Sequence, residues 1–563
     1  MTRRWGLETR GWGVAFALAL APVALASQGS PAVESKVDTV FARWNSGTPG
    51  CAVGVATAGQ PVLTKGYGMA DLEHDIPMSA DSILEVGSVS KQFTAAAVML
   101  LARDGKLSLD DQVRTYVPEL PDYPPAPGER ATGSGATSAS LTIRHMLSHT
   151  SGLRDWGSVA AIAGWPRTTR VHTHAHVLEI VARQRALNFA PGTRWSYSNT
   201  GFNLAAIIVE RISGMTLPEF TRTRLFQPLG MTHTSWRDDY TRIVKGRALA
   251  YRERDGAFHT DMPFENVYGN GGLLTTVGDL LTWNEHYDRP AAGDAAMIAE
   301  QQAPGHFNDG RAHGYGLGLY VGTHQGLREV FHSGTTAGYS AFLTRFPEQR
   351  VSVAVLCNAA GAPAAQYAHA VADLYLGDRL KPSEVRATHA LTAAETDRFV
   401  GQWIGRSGVP MTIEKDRDGV RLGRATPLFA TSAMTVISAA RDEWQLDAYG
   451  LRHTDPFGTI EELRRDWTVG TVKDMHVYAG TYVSADAEAT LTAAAIDGRL
   501  VLKRRPDTTI ALTPLYADAF SADHGLGTVI FHWDSNGRVS DLSVVQDRVW
   551  NMPFRKSEVG SQK

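Results

Sequence analysis

A hydroxyl and an amine one helical turn apart can act as nucleophile and base. In this chain a serine stands three residues before a lysine at one place, Ser88 and Lys91, within Glu85-Val86-Gly87-Ser88-Val89-Ser90-Lys91. A lysine held away from water loses proton affinity and takes the proton of a neighbouring hydroxyl, which can then attack a carbonyl. Chance alone supplies about one S-x-x-K in a chain of this length, and an isolated match more often means a helix-capping serine beside a surface lysine. Partners are therefore needed. Tyr197-Ser198-Asn199 offers a phenol and an amide. His332-Ser333-Gly334-Thr335 offers an imidazole followed by small residues that let a substrate approach the backbone. His172, His174 and His176 invite a metal reading. Thr173 caps a helix there, however, which points the three rings in different directions, and no acid or cysteine cluster completes a ligand set. No metal is assigned, and the chemistry calls for no cofactor.

The elements that must position these groups follow from periodicity. Phe93, Ala96, Ala97, Leu100 and Leu101 recur at helical spacing in a segment apolar nearly all round, which predicts a buried helix stopped at Gly105. Ser88 then falls in its first turn with Lys91 on the same face, and the helix start presents N–H groups suited to an oxyanion. Residues 51–56 and 62–67 read as paired strands, and 141–148 as a helix. Residues 122–140, rich in Pro, Gly, Ala, Ser and Thr, read as a surface loop insertion. Tyr197-Ser198-Asn199 leads into a helix over 202–212, and Asp279 starts another over 280–287. Strands are expected at 315–319, 329–335, Tyr339–Phe346 and 351–356, followed by the helix Ala364–Leu376. The glycine-rich stretch 269–274 lacks the strand-to-helix G-x-G-x-x-G of a nucleotide site.

With 563 residues the chain should hold roughly two to four domains. Its 43% hydrophobic and 20% charged residues are those of a globular protein, and a net charge of −3 gives no electrostatic case for nucleic acid. Residues 1–26 read as an export signal: Arg3, Arg4 and Arg10 precede an apolar run too short to span a membrane, and Ala24-Leu25-Ala26 suits cleavage. The N-terminus partly matches a twin-arginine signal, although Glu8 weakens the match. A periplasmic or secreted protein, without a membrane span after cleavage, is the expectation. Two cysteines, Cys51 and Cys357, make neither a disulfide scaffold nor a metal site. They can pair in an oxidising compartment if they are neighbours, with buried free thiols the slightly favoured alternative.

After a polar linker over 377–391 the texture becomes short and β-rich, and a repeat emerges. Phe399-Val400-Gly401-Gln402-Trp403 matches Tyr478-Ala479-Gly480-Thr481-Tyr482, and an Asp-Gly hairpin signal follows each at the same distance, at Gly419 and Gly498. Two small antiparallel barrels, at 393–472 and 473–557, are expected.

Ser88-x-x-Lys91, Tyr197-x-Asn199 and His332-x-Gly334, in that order, resemble the penicillin-recognising serine hydrolases: class C β-lactamases, D,D-peptidases, D-aminopeptidases and related esterases. The resemblance covers about residues 33–380 and extends to His149-Thr150-Ser151-Gly152-Leu153, Pro191-Gly192, Pro228-Leu229-Gly230-Met231 and Tyr315-Gly316-Leu317-Gly318. The paired barrels make the whole chain similar to D-aminopeptidases that carry two lipocalin-like barrels. The resemblance implies an α/β sandwich, with a five-stranded antiparallel sheet between helices and a helical lobe beside it. In that fold Cys51 and Cys357 lie on antiparallel neighbouring strands, so they are expected close together. It also implies that Ser88 is acylated, that Lys91 and Tyr197 share the base role, and that Asn199 holds Lys91 and the substrate amide. The oxyanion would be held by the N–H groups of Ser88 and Thr335, with Ser333, Gly334 and Thr335 binding substrate.

His332 stands where β-lactamases usually have lysine. Histidine is mostly neutral at pH 7 and donates a hydrogen bond but grips a carboxylate weakly. That favours amide or ester substrates without a carboxylate near the scissile bond. The leading expectation is hydrolysis of amides in D-amino-acid peptides. An esterase comes next, then a D,D-carboxypeptidase or β-lactamase, and last a non-catalytic penicillin-binding or ligand-sensing protein. A barrel loop is expected to narrow the cleft. A substrate amine would want an acidic partner, and the sequence does not identify one.

Overall fold

The computed structural model describes Met1 and residues 31–123, 140–381, 387–465 and 474–557, apart from positions 168, 292, 406, 407, 409, 418, 424, 449, 457 and 459. The export signal expected over 1–26, after Met1, and nearly all of the loop insertion expected over 122–140 lie outside the described residues. Among the described residues no helix is long and apolar enough to cross a membrane.

The catalytic region is built on one antiparallel sheet. Its strands are β1 (Cys51–Thr57), β2 (Gln60–Tyr67), β3 (Tyr320–His324), β4 (Leu327–Thr336), β5 (Tyr339–Phe346) and β6 (Val351–Cys357), in the order β3-β4-β5-β6-β1-β2. That is six strands, one more than the resemblance implies. The added edge is β3, which begins at Tyr320 rather than at 315–319. Gly318 holds φ +77° and packs against the carbonyl of Lys91, so the segment before Tyr320 cannot run on as a strand. β3 pairs only with the first half of β4, from His324↔Leu327 to Tyr320↔Phe331. From His332 onward that edge of β4 carries no strand partner among the described residues.

Both faces of the sheet are covered. Helices α1 (Pro31–Val40) and α5 (Ala364–Leu376) close one face over Val53, Val55, Val353 and Val355. Helix α2 (Lys91–Arg103) and α4 (Val277–Asp288) close the other over Ala52, Ala354 and Leu356. Gly54 matters to this packing, because a Cβ there would meet Val277 at 3.0 Å. The helix expected from Asp279 starts two residues earlier, capped by Thr276, while the Asp279 carboxylate accepts from Thr234 and from the backbone of His233. Cys51 and Cys357 are register partners of β1 and β6 and form a disulfide, with Cα atoms 4.0 Å apart. The free-thiol alternative is thereby overturned: in an antiparallel pair the start of one strand faces the end of the other.

Helix α2 is buried from Lys91 to Leu101. Phe93 packs on Trp283 and Phe226, and Thr94 donates to the carbonyl of Gly269. At its end Lys106 N–H bonds Leu101 O and Gly105 N–H bonds Ala102 O, with Gly105 at φ +69°. This glycine-terminated pattern satisfies the last carbonyls.

Two eight-stranded antiparallel meanders follow. The second, from Gly480–Ser484 to Val549–Lys556, is a closed barrel. The first runs from Gly401–Ile404 to Ile460–Leu463 and is brought together by reciprocal backbone bonds between Ile404 and Arg464. The repeat has a physical cause. Trp403 Nε1–H donates to Phe399 O and Tyr482 O–H donates to Tyr478 O, while Gly401 and Gly480 share φ near +150°, at +148° and +149°. The first barrel has its own core around Trp403 and Trp444. The second shares its core with the catalytic region.

Arg154 anchors that union. It is buried against Asp486 at 3.0 Å, and Asp486 also accepts from Arg185 N–H. Removing one member of a buried ion pair leaves the other charge uncompensated. Asp486→Asn should therefore lower the stability of the full chain by about 3 kcal/mol, read as an earlier midpoint in denaturant unfolding. An unchanged midpoint would show that the pair does not hold the barrel.

Candidate active site

From Ser82 to Leu101 every residue is buried except Ser88, which reaches a cleft of about 390 Å³. Ser88 sits in a single 3-10 turn, Gly87–Ser90, immediately ahead of α2, rather than in the α-helix itself. The tighter turn follows from Gly87, at φ +48°, whose missing side chain lets Thr335 N approach; an added Cβ would lie 2.7 Å from it. Gly334 fits as closely on the other side, where a Cβ would lie 2.0 Å from Val86 O and 2.9 Å from Ser88 N. The free edge of β4 is thus pressed against the turn that carries the serine. Ser88, Ser333, Gly334 and Thr335 border the same cleft.

Lys91 is fully buried and has no ion-pair partner among the described residues. Its Nζ lies 3.0 Å from Ser88 Oγ, 2.9 Å from Asn199 Oδ1 and 2.6 Å from the carbonyl of Asn270. Burial drives its pKa well below the ordinary lysine value, and the positive charge of Arg548 pushes in the same direction. An uncharged amine in this setting gives its two hydrogens to the two carbonyl-type oxygens and turns its lone pair to the Ser88 hydroxyl. That arrangement can accept the serine proton.

Tyr197 and Asn199 arrive together. Asn199 opens helix α3 (Asn199–Ser213), and its backbone N–H donates to Asp155 at 2.8 Å. The Tyr197 phenol is hydrogen-bonded to Ser88, and its ring lies 4.8 Å from Lys91 Nζ. Burial raises the Tyr197 pKa above its ordinary value, against the pull of the Ser88 bond and of Arg548. At neutral pH the phenol therefore holds its proton, and of the pair Lys91 is the one shifted toward its basic form. His149 stacks on Tyr197 with ring centroids 4.2 Å apart, and its Nδ1 accepts from Ser198 N–H at 3.1 Å.

His332 lines the cleft but is 1% exposed. Its Nδ1 lies 2.6 Å from Ser333 O, which can only accept, so Nδ1 carries the hydrogen. Nε2 then accepts from Tyr315 O–H at 2.9 Å. Both ring nitrogens are engaged, so His332 has no N–H for a substrate, contrary to the expected donor. Burial, aided by Lys91, pushes its pKa down to about 3. The position is neutral and rigid.

The wall facing this machinery comes from the second barrel. The turn between β7 (Val539–Gln546) and β8 (Val549–Lys556) places Asp547 and Arg548 in the cleft. The Arg548 guanidinium lies 4.7 Å over the Tyr197 ring, while its carbonyl accepts from Asp155 N–H and Asn188 Nδ2–H. The Asp547 side chain is 94% exposed, and its carboxylate lies 3.7 Å from Arg548 Nε, so the two form a loose ion pair. Arg167 and Glu265 pair on a further wall.

Sequence reasoning missed several of these groups. Asn270 acts through its backbone carbonyl, for which the glycine-rich stretch was the available signal. Tyr315 and His149 lie in the Tyr315-Gly316-Leu317-Gly318 and His149-Thr150-Ser151-Gly152 runs. Asp155, Asp547 and Arg548 carried no signal. Of the three spaced histidines only His174 stands apart, at Tyr268 O: His172 packs on Trp156 and meets the ring of His176 edge to face at 5.8 Å, while His176 completes the Thr173 cap, so the expected divergence holds for one of the three.

The profile of the β-lactamase family matches residues 33–376. The chain belongs to the β-lactamase family. It is a serine hydrolase of that family, a peptidase or esterase. A D-aminopeptidase of Cereibacter sphaeroides is 27% identical over 463 residues, covering 80% of this chain and 82% of that one. A D-aminopeptidase of Brucella anthropi is 24% identical over 541 residues, covering 91% and 96%. Among solved structures, an octameric penicillin-binding protein homologue from Pyrococcus abyssi matches with a TM-score of 0.53 at 23% identity, over 85% of this chain and all but 1% of that one (99%). The D-amino acid amidase of Ochrobactrum anthropi, complexed with L-phenylalanine, matches at 0.51 and 21%, over 62% and 99%. The β-lactamase fold with two barrels is common ground between this chain and its family expectation.

The histidine in this family site makes a pH prediction. The unfolded chain takes up a proton on His332 below about pH 6.5, and the folded chain does so only near pH 3. Between those values the unfolded state binds more protons, so stability falls as pH falls. His332→Gln should remove about 2 kcal/mol of the stability lost between pH 6.5 and 5, measured by denaturant unfolding at both. His145, His172 and His313, each pushed to about 4, would retain the rest. An identical pH dependence in the variant would count against a buried neutral His332.

Proposed function

We propose that this chain is an exported hydrolase that cleaves amide bonds in D-amino-acid-containing peptides through an acyl-enzyme on Ser88. The observation that carries the reading is the buried Lys91 amine, 3.0 Å from the Ser88 hydroxyl and short of proton affinity. Lys91 takes the Ser88 proton as Oγ bonds to the substrate carbonyl carbon. The oxyanion forms between the N–H groups of Ser88 and Thr335, each such donor contributing typically about 3 kcal/mol in the transition state. Tyr197, protonated and bonded to Ser88, gives its proton to the leaving nitrogen and recovers one from Lys91. Water then deacylates Ser88 by the same steps in reverse. Asn199 fixes Lys91, and Ser333 and Gly334 offer backbone to the substrate. The roles of Lys91 and Tyr197 are those of one unit.

Substrate class rests on the barrel hairpin and on His332. A neutral His332 with both nitrogens engaged supplies no cation for a carboxylate. Asp547, which borders the cleft with its exposed carboxylate 3.7 Å from Arg548, is the acidic partner we assign to a free substrate amine. The D-aminopeptidase relatives support this choice. One observation favours the second reading, a D,D-carboxypeptidase or β-lactamase: Arg548 places a guanidinium in the cleft, where a substrate carboxylate can meet it. Export is supported by the Cys51–Cys357 disulfide, which belongs to an oxidising compartment.

A fluorophosphonate probe should label the wild type at Ser88, and Ser88→Ala should lose both labelling and turnover. Labelling that survives the substitution would sink the mechanism. Lys91→Ala and Tyr197→Phe should each lose at least about a hundredfold in kcat, and the double variant little more, because they act together. Additive losses would assign them separate steps. Asp547→Asn should weaken kcat/KM for D-aminoacyl p-nitroanilides about tenfold while leaving N-acetylated analogues and short esters unchanged. Arg548→Gln should matter most if nitrocefin or a peptide with a free C-terminus is the better substrate. Equal loss across the panel in Asp547→Asn would remove the aminopeptidase reading.

A further inference from the structure

On the sheet face opposite His332, four polar side chains from three elements converge. His324 ends β3, Glu329 lies near the start of β4, and His369 and Asp373 stand one turn apart on the same face of α5. Their donor atoms are close: His369 Nε2 lies 2.7 Å from Glu329 Oε1 and His324 Nε2 lies 2.7 Å from Asp373 Oδ1. One ligand atom each from His324, Glu329 and His369 falls within 4.8 Å of the other two. The two imidazoles are parallel, 6° between planes with centroids 4.2 Å apart. Both edges point to carboxylates.

The cluster has the supports that a metal site needs. Glu329 is buried, its side chain 3% exposed, and Thr344 Oγ1 donates to it at 2.6 Å. Gln325 Nε2 donates to Asp373 Oδ2 at 2.8 Å. Both carboxylates are thus oriented by a neutral donor, as outer-shell partners orient ligands. Phe342 and Phe346 of β5 wall the histidines in edge-on contact. Each imidazole meets a carboxylate through its Nε2, a ring atom that can ligate a metal. One divalent ion placed among these atoms would take a ring nitrogen from each histidine and oxygen from the carboxylates. Bonds of about 2.0 Å in a tetrahedral site put ligand atoms about 3.3 Å apart, so the two 2.7 Å contacts would open and the wider separations, under 4.8 Å, would close, each by under about 1 Å per side chain.

We propose that His324, Glu329 and His369, with Asp373 beside them, bind one zinc ion that pins helix α5 to the β3–β4 hairpin. Two imidazoles and carboxylate oxygen are a zinc donor set. The site touches none of the acylation residues. It holds the outer half of the strand whose inner half, from His332 to Thr335, borders the serine.

The test uses the full-length chain, stripped with EDTA and dialysed, and titrated with zinc sulfate by calorimetry and with cobalt(II) by visible absorption. One zinc per chain, a visible cobalt band and a raised unfolding temperature on adding zinc are expected. Glu329→Gln and His369→Ala should weaken zinc binding by about a hundredfold or more, and Asp373→Asn by about tenfold. Ser88→Ala should bind zinc as the wild type does. His324→Gln, at a hairpin turn, is the variant to read if a Glu329 or His369 substitution fails to fold. Absence of stoichiometric zinc binding in the wild type, wild-type affinity in the folded ligand variants, or loss of binding in Ser88→Ala would each overturn the site.

Discussion

The site depends on one lysine buried without a carboxylate. Lys91 meets two carbonyl oxygens and a hydroxyl, and neutral acceptors stabilise an ammonium far less than an ionised partner does. The protein therefore holds an amine whose favoured form is uncharged beside the hydroxyl that, in the proposed mechanism, it deprotonates. Every element around it serves that burial. Helix α2 is apolar on all sides so that its first residue can be sealed. Thr94 ties the helix to the loop whose Asn270 carbonyl accepts from Nζ. Gly318 lets the chain before β3 pass directly over the backbone of Lys91. A carboxylate in hydrogen-bond reach would restore the proton to Lys91 and remove the base.

The sheet solves a second constraint, that of bringing the edge of β4 against the 3-10 turn that carries Ser88. β3 stops pairing at Phe331, so the rest of β4 has a side free for the cleft. Gly334 and Gly87 then allow strand and turn to touch backbone to backbone. No side chain is accommodated at either position, and the contact places Thr335 N–H and Ser88 N–H along one edge. His332 contributes differently from its sequence expectation. Locked between Ser333 O and Tyr315 O–H, it gives this edge a neutral, fixed surface where a lysine would give it charge.

Much of this was legible in the chain because periodic patterns and close spacings survive without tertiary information. The i, i+3 relation of Ser88 to Lys91, the apolar run from Phe93 to Leu101 and the glycine stop at Gly105 are local; the run and the stop stand where they were expected, while Ser88 lies in the 3-10 turn just ahead of the helix. The barrel repeat was legible because Trp403 and Tyr482 reach back to the carbonyl four residues earlier, a local bond that needs a long side chain with a donor at its tip at the second position. What the sequence could not display were groups acting through backbone or across domains. Asn270 holds Lys91 by a carbonyl that every residue possesses. Residues 315–319 looked like a strand because Tyr315, Leu317 and Leu319 alternate, yet Gly318 turns them past α2. Asp547 and Arg548 reach the cleft only because a barrel at the far end of the chain docks on it. The facing pair of His324 and His369 depends on a helix and a hairpin meeting.

That docking changes what the second barrel can be. A loop that merely narrowed the cleft would be removable, and its loss would open the site to bulky substrates. The Arg548 carbonyl, however, accepts from Asp155 N–H, the Asp155 carboxylate accepts from Asn199 N–H, and Asn199 Oδ1 accepts from Lys91. Three hydrogen bonds thus run from the barrel hairpin to the base. Removing the barrel would also strip Asp486 from a buried Arg154 and expose the shared core. Deletion would then impair small and bulky substrates alike, through the geometry of Lys91 rather than through access. The tip behaves otherwise. Asp547 and Arg548 border the cleft and pair with each other at 3.7 Å, while the hydrogen bonds that anchor the hairpin use the backbone of Arg548 and Trp550. Side-chain identity at the tip can therefore change without disturbing the path to Lys91. In the proposed reading, substrate choice and catalytic geometry share one hairpin and are separated within it, the first on its side chains and the second on its main chain.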